Sequence, residues 1–228
     1  MPRSARVDVG GEIYHVINRA NGRLQVFNTD ADYQLFEQLL VETKEIIDMR
    51  ILAYELMPNH WHLVLSPTND GDLGVFMHRL SNAHTRKVHA RTNTNGAGHL
   101  YQGRYKSFLI DSDKYLLAVI KYIERNAVRA KLVRRCEEWR WGSAWRRVSG
   151  TIEQKKLLDE VPTELPDDYV EWINTEEKSD DVDIIRKSVN KGVPYGRERW
   201  IEKMVSKHHL ESTLRSPGRP KKTDKKIY

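Results

Sequence analysis

In the run of residues 12–18, Tyr14 and Val16, two residues apart, face inward, with Ile13 and Ile17 as further inward candidates. A period of two predicts a strand. Residues 19–23 (Arg-Ala-Asn-Gly-Arg) read as a turn, and Thr29 or Asp30 can cap a helix running to about residue 48. Its apolar stripe is Tyr33, Phe36, Leu39, Leu40 and Thr43. Residues 50–57 and 60–66 are apolar at nearly every position and are joined by Pro58-Asn59, as expected of central strands covered on both faces. A helix over 72–90 carries Leu73, Phe76, Met77 and Leu80, and a loop rich in Asn, Thr and Gly follows. Residues 104–110 predict a fourth strand and residues 113–129 a further helix. The first six elements make an α+β fold, the ferredoxin-like, RRM-like split βαββαβ antiparallel sheet with helices on one face. The last helix packs on or beside that sheet. Trp139, Trp141 and Trp145 are expected to fold back onto the core, residues 151–190 to form a helical appendage, and residues 197–209 another helix. The boundaries are a core domain over 1–148, an acidic helical extension over 149–212 and a basic tail over 213–228.

Within this pattern, two histidines interrupt an apolar strand. In Met57-Pro58-Asn59-His60-Trp61-His62-Leu63-Val64-Leu65, His60 and His62 emerge on one face and offer a two-point grip on a divalent cation. Hydrogen-bonded polar residues on a half-buried strand would give the same pattern, although two buried imidazoles without partners are costly. On the last predicted helix Tyr122 and Asn126 are i,i+4 neighbours, away from the stripe of Leu116, Ile120, Ile123 and Ala127. An amide oxygen could bind an ion while the adjacent phenol attacks a phosphorus held by that ion. Phenols have a reference pKa near about 10, so such a reaction needs a cation close by. Attack by tyrosine keeps the phosphodiester energy in a protein–DNA bond, which permits rejoining without ATP.

Charge narrows the partner. The 228 residues carry a net charge of +6, with 39% apolar and 31% charged side chains and a mean hydropathy of −0.67. Its distribution is uneven. Residues 151–190 hold five basic against twelve acidic side chains, whereas residues 191–228 hold eleven against four. A basic body with a basic tail suits a polyanion, or simply solubility. Cys136 is the single cysteine, so neither an internal disulfide nor a cysteine-built zinc site is possible. The spacing of His78, His84, His89 and His99 matches no zinc signature. No apolar run reaches the roughly 20 residues of a membrane span and no signal-peptide pattern opens the chain, so a cytoplasmic protein is expected.

Five segments resemble the HUH single-tyrosine transposases, most closely the REP-associated tyrosine transposases of bacteria. They are residues 11–19 (GEIYHVINR), 53–64 (AYELMPNHWHLV), 101–107 (YQGRYKS), 122–130 (YIERNAVRA) and 218–222 (GRPKK). The resemblance implies His60 and His62 as the metal pair, Tyr122 as nucleophile and Asn126 as third ligand, with Mg2+ or Mn2+ as the cofactor. It implies cleavage of single-stranded DNA beside an imperfect palindromic hairpin, through a 5'-phosphotyrosine link, by a monomer or homodimer near the bacterial nucleoid. Ala127 stands where a proline is common, and Lys131 where a glycine is common. Candidates to grip DNA are Arg19, Arg23, Arg104, Lys106, Arg125 and Arg129, with Arg219, Lys221 and Lys222 in the tail as minor-groove inserts. Two other readings stay open: a hairpin DNA- or RNA-binding protein of the same fold that no longer cuts, and a metal-dependent hydrolase unrelated to DNA. No RNP-like strand of paired aromatics supports RNA.

Overall fold

The computed structural model describes residues 6–94, 96 and 98–215. Arg219, Lys221, Lys222 and nearly all of the expected basic tail lie outside the described residues. Four strands, β1 (Ile13–Arg19), β2 (Met49–Met57), β3 (His60–Pro67) and β4 (Lys106–Ile110), form one antiparallel sheet in the order β2-β3-β1-β4. Helices α1 (Asp30–Lys44) and α2 (Asp72–Thr92) cover one face, completing the split βαββαβ unit. The opposite face is closed by α3 (Lys114–Glu124) and by α8 (Ser179–Lys191) from the acidic region.

Strand parity explains why both faces are apolar. Tyr14, Val16, Leu56, Trp61, Leu63 and Leu65 point into the α1/α2 core, while Ala53, Val64, Phe108 and Ile110 pack beneath α3. Trp61 therefore fixes the register that matters. Its ring is fully buried against Phe36, so a one-residue slip would move it to the α3 face and turn both flanking histidines into the α1/α2 core. Trp61 Nε1 donates to the Tyr101 hydroxyl at 2.9 Å, and that hydroxyl also hydrogen-bonds His84 Nδ1 at 2.6 Å. His84 is 0% exposed and stacks on Phe27.

Burial pushes the His84 imidazole from its ordinary 6.5 down to about 3. A base whose folded pKa is depressed contributes stability fully above pH 6.5, and that contribution is lost as the pH falls toward the folded value. At pH 5 the loss from this one ring is about 2 kcal/mol. Urea unfolding at pH 7 and pH 5 should show it, with a His84→Phe variant losing less stability over the same interval. Equal pH dependence in the two proteins would exclude this ring as the source.

After α3 come α4 (Asn126–Arg129), α5 (Ser143–Ser149), α6 (Ile152–Lys155) and α7 (Tyr169–Asn174); α9 (Glu198–His208) and α10 (Glu211–Leu214) follow α8. Trp141 stacks on Tyr33 with centroids 4.8 Å apart, and Trp139 donates to the Leu56 carbonyl at 2.9 Å. The returning chain also pairs with the outer strands. The Leu56 N–H donates to the Trp141 carbonyl, and the Asp159 N–H to the Ile51 carbonyl, both at 2.9 Å on β2. On β4, Tyr195 exchanges backbone hydrogen bonds with Leu109 and Asp111, each 2.8 Å. A buried ion pair ties α5 to α1: Arg146 reaches Glu37 at 2.7 Å, and both contact the Tyr54 hydroxyl. Among the described residues no helix is long and apolar enough to cross a membrane.

Candidate active site

On β3, His60 and His62 lie two residues apart on the α3 side of the sheet, their ring centroids 5.1 Å apart. Each ring is oriented through Nδ1. His60 Nδ1 meets the Asn59 amide oxygen at 2.6 Å, and His62 Nδ1 meets His15 Nε2 at 2.8 Å. Burial, reinforced by Arg19, lowers the His60 pKa to about 4; burial, then His15 and His60, holds His62 well below the usual value. Both rings are thus neutral, the form in which imidazole binds a metal. Nδ1 is engaged in each case, which leaves Nε2 as the ligating atom.

Tyr122 comes from α3, which crosses β2 and β3 on this face. Its ring stands edge-on to His62 with centroids 6.3 Å apart. Asn126 lies beyond a break. Instead of one helix over 113–129, α3 ends at Glu124, Arg125 adopts φ −94° and ψ 1°, and the short α4 restarts at Asn126. The cause is Glu55 on β2. Its carboxyl, 0% exposed, accepts the Ala127 N–H at 3.0 Å, the donor a continuous helix would have spent on Ile123. Burial raises the Glu55 pKa well above the carboxylate range, with Ala127 and Arg129 pulling the other way. Gly142 makes room for this carboxyl, since a Cβ there would sit 2.5 Å from Glu55 Oε2.

Both departures from the resembled pattern acquire local consequences here. A proline at 127 would carry no N–H, whereas alanine has one and Glu55 receives it. Lys131 adopts φ +59°, a left-handed conformation that glycine accepts without strain.

The Asn126 side chain is held by Arg129, whose Nη2 donates to its Oδ1 at 2.5 Å and to the Tyr122 carbonyl. The Arg129 guanidinium lies 4.4 Å from the Tyr122 ring centroid. Asn126 Nδ2 is buried without a partner. Two neutral imidazoles and an amide oxygen with a second lone pair fit a divalent ion that must also take phosphate oxygens. Among the described residues no group of three His, Cys, Asp or Glu side chains is arranged to hold one.

The basic candidates separate. Arg19 pairs in register with His60, and Arg19, Arg104 and Lys106 line one depression beside β4, with Asn190 of α8 at its rim. Arg23 is exposed at the turn after β1. Arg125 is not an outward phosphate grip. It is buried, bonding Glu177 at 2.5 Å and the Ile173 carbonyl at 3.1 Å. Arg129 is also engaged inward, with Glu177 and Asn126. Residues that sequence reasoning overlooked are His15, Glu55 and Glu177. Glu55 had a signal, a lone charge inside an apolar strand, and His15 shares its strand face with Arg19. Glu177 had none.

A solved structure shares this architecture. A solved REP-associated tyrosine transposase bound to a REP hairpin superimposes with a TM-score of 0.56 at 21% identity, covering 65% of this chain and 86% of that one. A putative transposase from Deinococcus radiodurans R1 aligns with a TM-score of 0.38 at 22% identity, over 55% of this chain and 95% of its own. No curated protein matches the chain. The model of the IS200-like transposases matches residues 9–126, the sheet, both of its covering helices and the tyrosine segment. The chain belongs to the IS200-like transposase family, whose members are DNA-cleaving enzymes that generally use a divalent metal.

Proposed function

We propose that the protein nicks single-stranded DNA beside a hairpin and transfers the strand through Tyr122. The observation that carries this reading is the edge-on placement of the Tyr122 ring against His62, 6.3 Å between centroids, on the face where His60 also opens. His60, His62 and Asn126 would hold Mg2+ or Mn2+, which when bound supplies a positive charge for the scissile phosphate. The Tyr122 oxygen attacks the phosphorus and releases its proton. The bond to the 3' oxygen breaks, and that oxygen leaves as a 3'-hydroxyl after taking up a proton. The 5' phosphate stays on tyrosine until a 3'-hydroxyl attacks it and restores the phenol. Arg19, Arg104 and Lys106, lining one depression near the β3 histidines, are suited to the strand that leads away from the cut.

Single-stranded oligonucleotides carrying imperfect palindromic hairpins with single-stranded flanks, labelled at both ends, test this directly. With Mg2+ or Mn2+ the expected products are a labelled 3'-hydroxyl fragment and a protein–DNA adduct that survives denaturing gel electrophoresis, both abolished by EDTA. Tight hairpin binding with neither product would favour a recognition protein of the same fold.

A further inference from the structure

The acidic stretch after residue 150 lies beyond the family match, yet one of its side chains reaches the tyrosine site. Glu177 sits between α7 and α8. Its Oε2 meets Arg125 Nε and its Oε1 meets Arg129 Nη1, each at 2.5 Å, and the carboxylate is 10% exposed. The loop is well anchored. Ile173 is fully buried with Cys136 and Ala144, and Asn174 accepts from the Cys136 N–H at 3.0 Å and donates to Glu137 at 2.7 Å. We propose that Glu177 is a positioning residue of the nicking centre: it holds Arg129 across Tyr122 and Asn126, so the C-terminal extension completes the site. This rests on the nickase reading above.

The geometry of the guanidinium supports it. Arg129 binds Glu177 through Nη1 and spends Nη2 on the Tyr122 carbonyl and the Asn126 amide oxygen, while its plane lies over the Tyr122 ring. A planar fork held by acceptors at both ends cannot pivot, and it fixes which end of the Asn126 amide is oxygen. Arg125 and Arg129 are four residues apart and repel one another. One carboxylate between them leaves a net single positive charge beside the phenol, suited to a phosphate. Without Glu177 the two cations would separate, and Arg129 would lose the restraint that seats it on Tyr122.

Glu177→Gln keeps the shape and one acceptor oxygen but removes the charge. In the oligonucleotide assay kcat should fall roughly 10- to 100-fold, as small misplacements of reacting groups do. KM for the oligonucleotide should stay within about threefold, because exposed basic residues elsewhere supply the phosphate contacts. In the wild type the 15N-labelled Arg129 Nη groups should exchange slowly with water, and in the variant rapidly. Arg129→Lys leaves the Glu177–Arg125 pair intact and should show the same loss of kcat, which covers the case of a Glu177→Gln protein that does not fold. Wild-type kcat in Glu177→Gln or in Arg129→Lys, or faster nicking by either, would overturn the assignment. A wild-type protein that never nicks removes the reading beneath it, an outcome distinct from an active wild type with an equally active variant.

Discussion

Tyr122→Phe should abolish covalent adduct formation while leaving the protein folded and able to bind its hairpin. The substitution removes one oxygen. The ring that Arg129 covers and that stands against His62 remains, so the surrounding packing has no reason to change. A reaction that runs through a phenolic oxygen has no substitute nucleophile in place, and the expected loss is roughly 10^4-fold or more. Tyr115, one candidate replacement, packs edge-on against Tyr195 with centroids 5.3 Å apart. Denaturing gels with end-labelled oligonucleotides measure the adduct, and gel shifts measure binding. Adducts persisting in Tyr122→Phe, or mapping to Tyr115, would move the nucleophile elsewhere.

The second large effect is on stability. Arg146→Leu should cost about 3 kcal/mol, because it leaves the buried Glu37 carboxylate, which Arg146 now meets at 2.7 Å, with only the Tyr54 hydroxyl and the partly exposed Arg140 at 3.5 Å. The Arg146 and Glu37 side chains are only 5% and 10% exposed, and the Tyr54 hydroxyl between them donates to Glu37 at 2.5 Å and accepts from Arg146 Nε at 2.6 Å. For a chain of this size the melting temperature should fall by about 10 °C. Replacing Glu37 with leucine in the same protein should recover much of the loss, since a buried pair exchanged for apolar side chains is often close to neutral. Calorimetric scans of the two variants decide it. A single variant melting with the wild type would show that the pair contributes nothing.

How far the fold was legible follows from which interactions are local. The first strand is legible from its two-residue spacing and the two central ones from nearly unbroken apolar runs, and the two-residue spacing of His60 and His62 puts both rings on one face. The stripes of α1 and α2 were equally plain, with Tyr33, Phe36, Leu39, Leu40 and Thr43 all buried as their spacing implied. The helix carrying Tyr122 was not fully legible. Nothing in residues 113–129 announces an interruption at Arg125, because the acceptor that diverts the Ala127 N–H is Glu55, 72 residues earlier. Two arginines near Tyr122 looked like phosphate grips for the same reason. Their partner, Glu177, follows them by 52 and 48 residues in an acidic segment that the sequence marks only as a helical appendage. Pairings of that length depend on the finished packing, and no periodicity encodes them.

The returns of the chain onto β2 and β4 bear on assembly. Unpaired border strands invite a second copy to extend a sheet across a two-fold axis, a common route to dimers and to aggregates alike. Here Trp141 and Asp159 occupy hydrogen-bonding positions on one border and Tyr195 on the other. Two molecules meeting to share a substrate would have to join through helices or loops, or first peel these segments away.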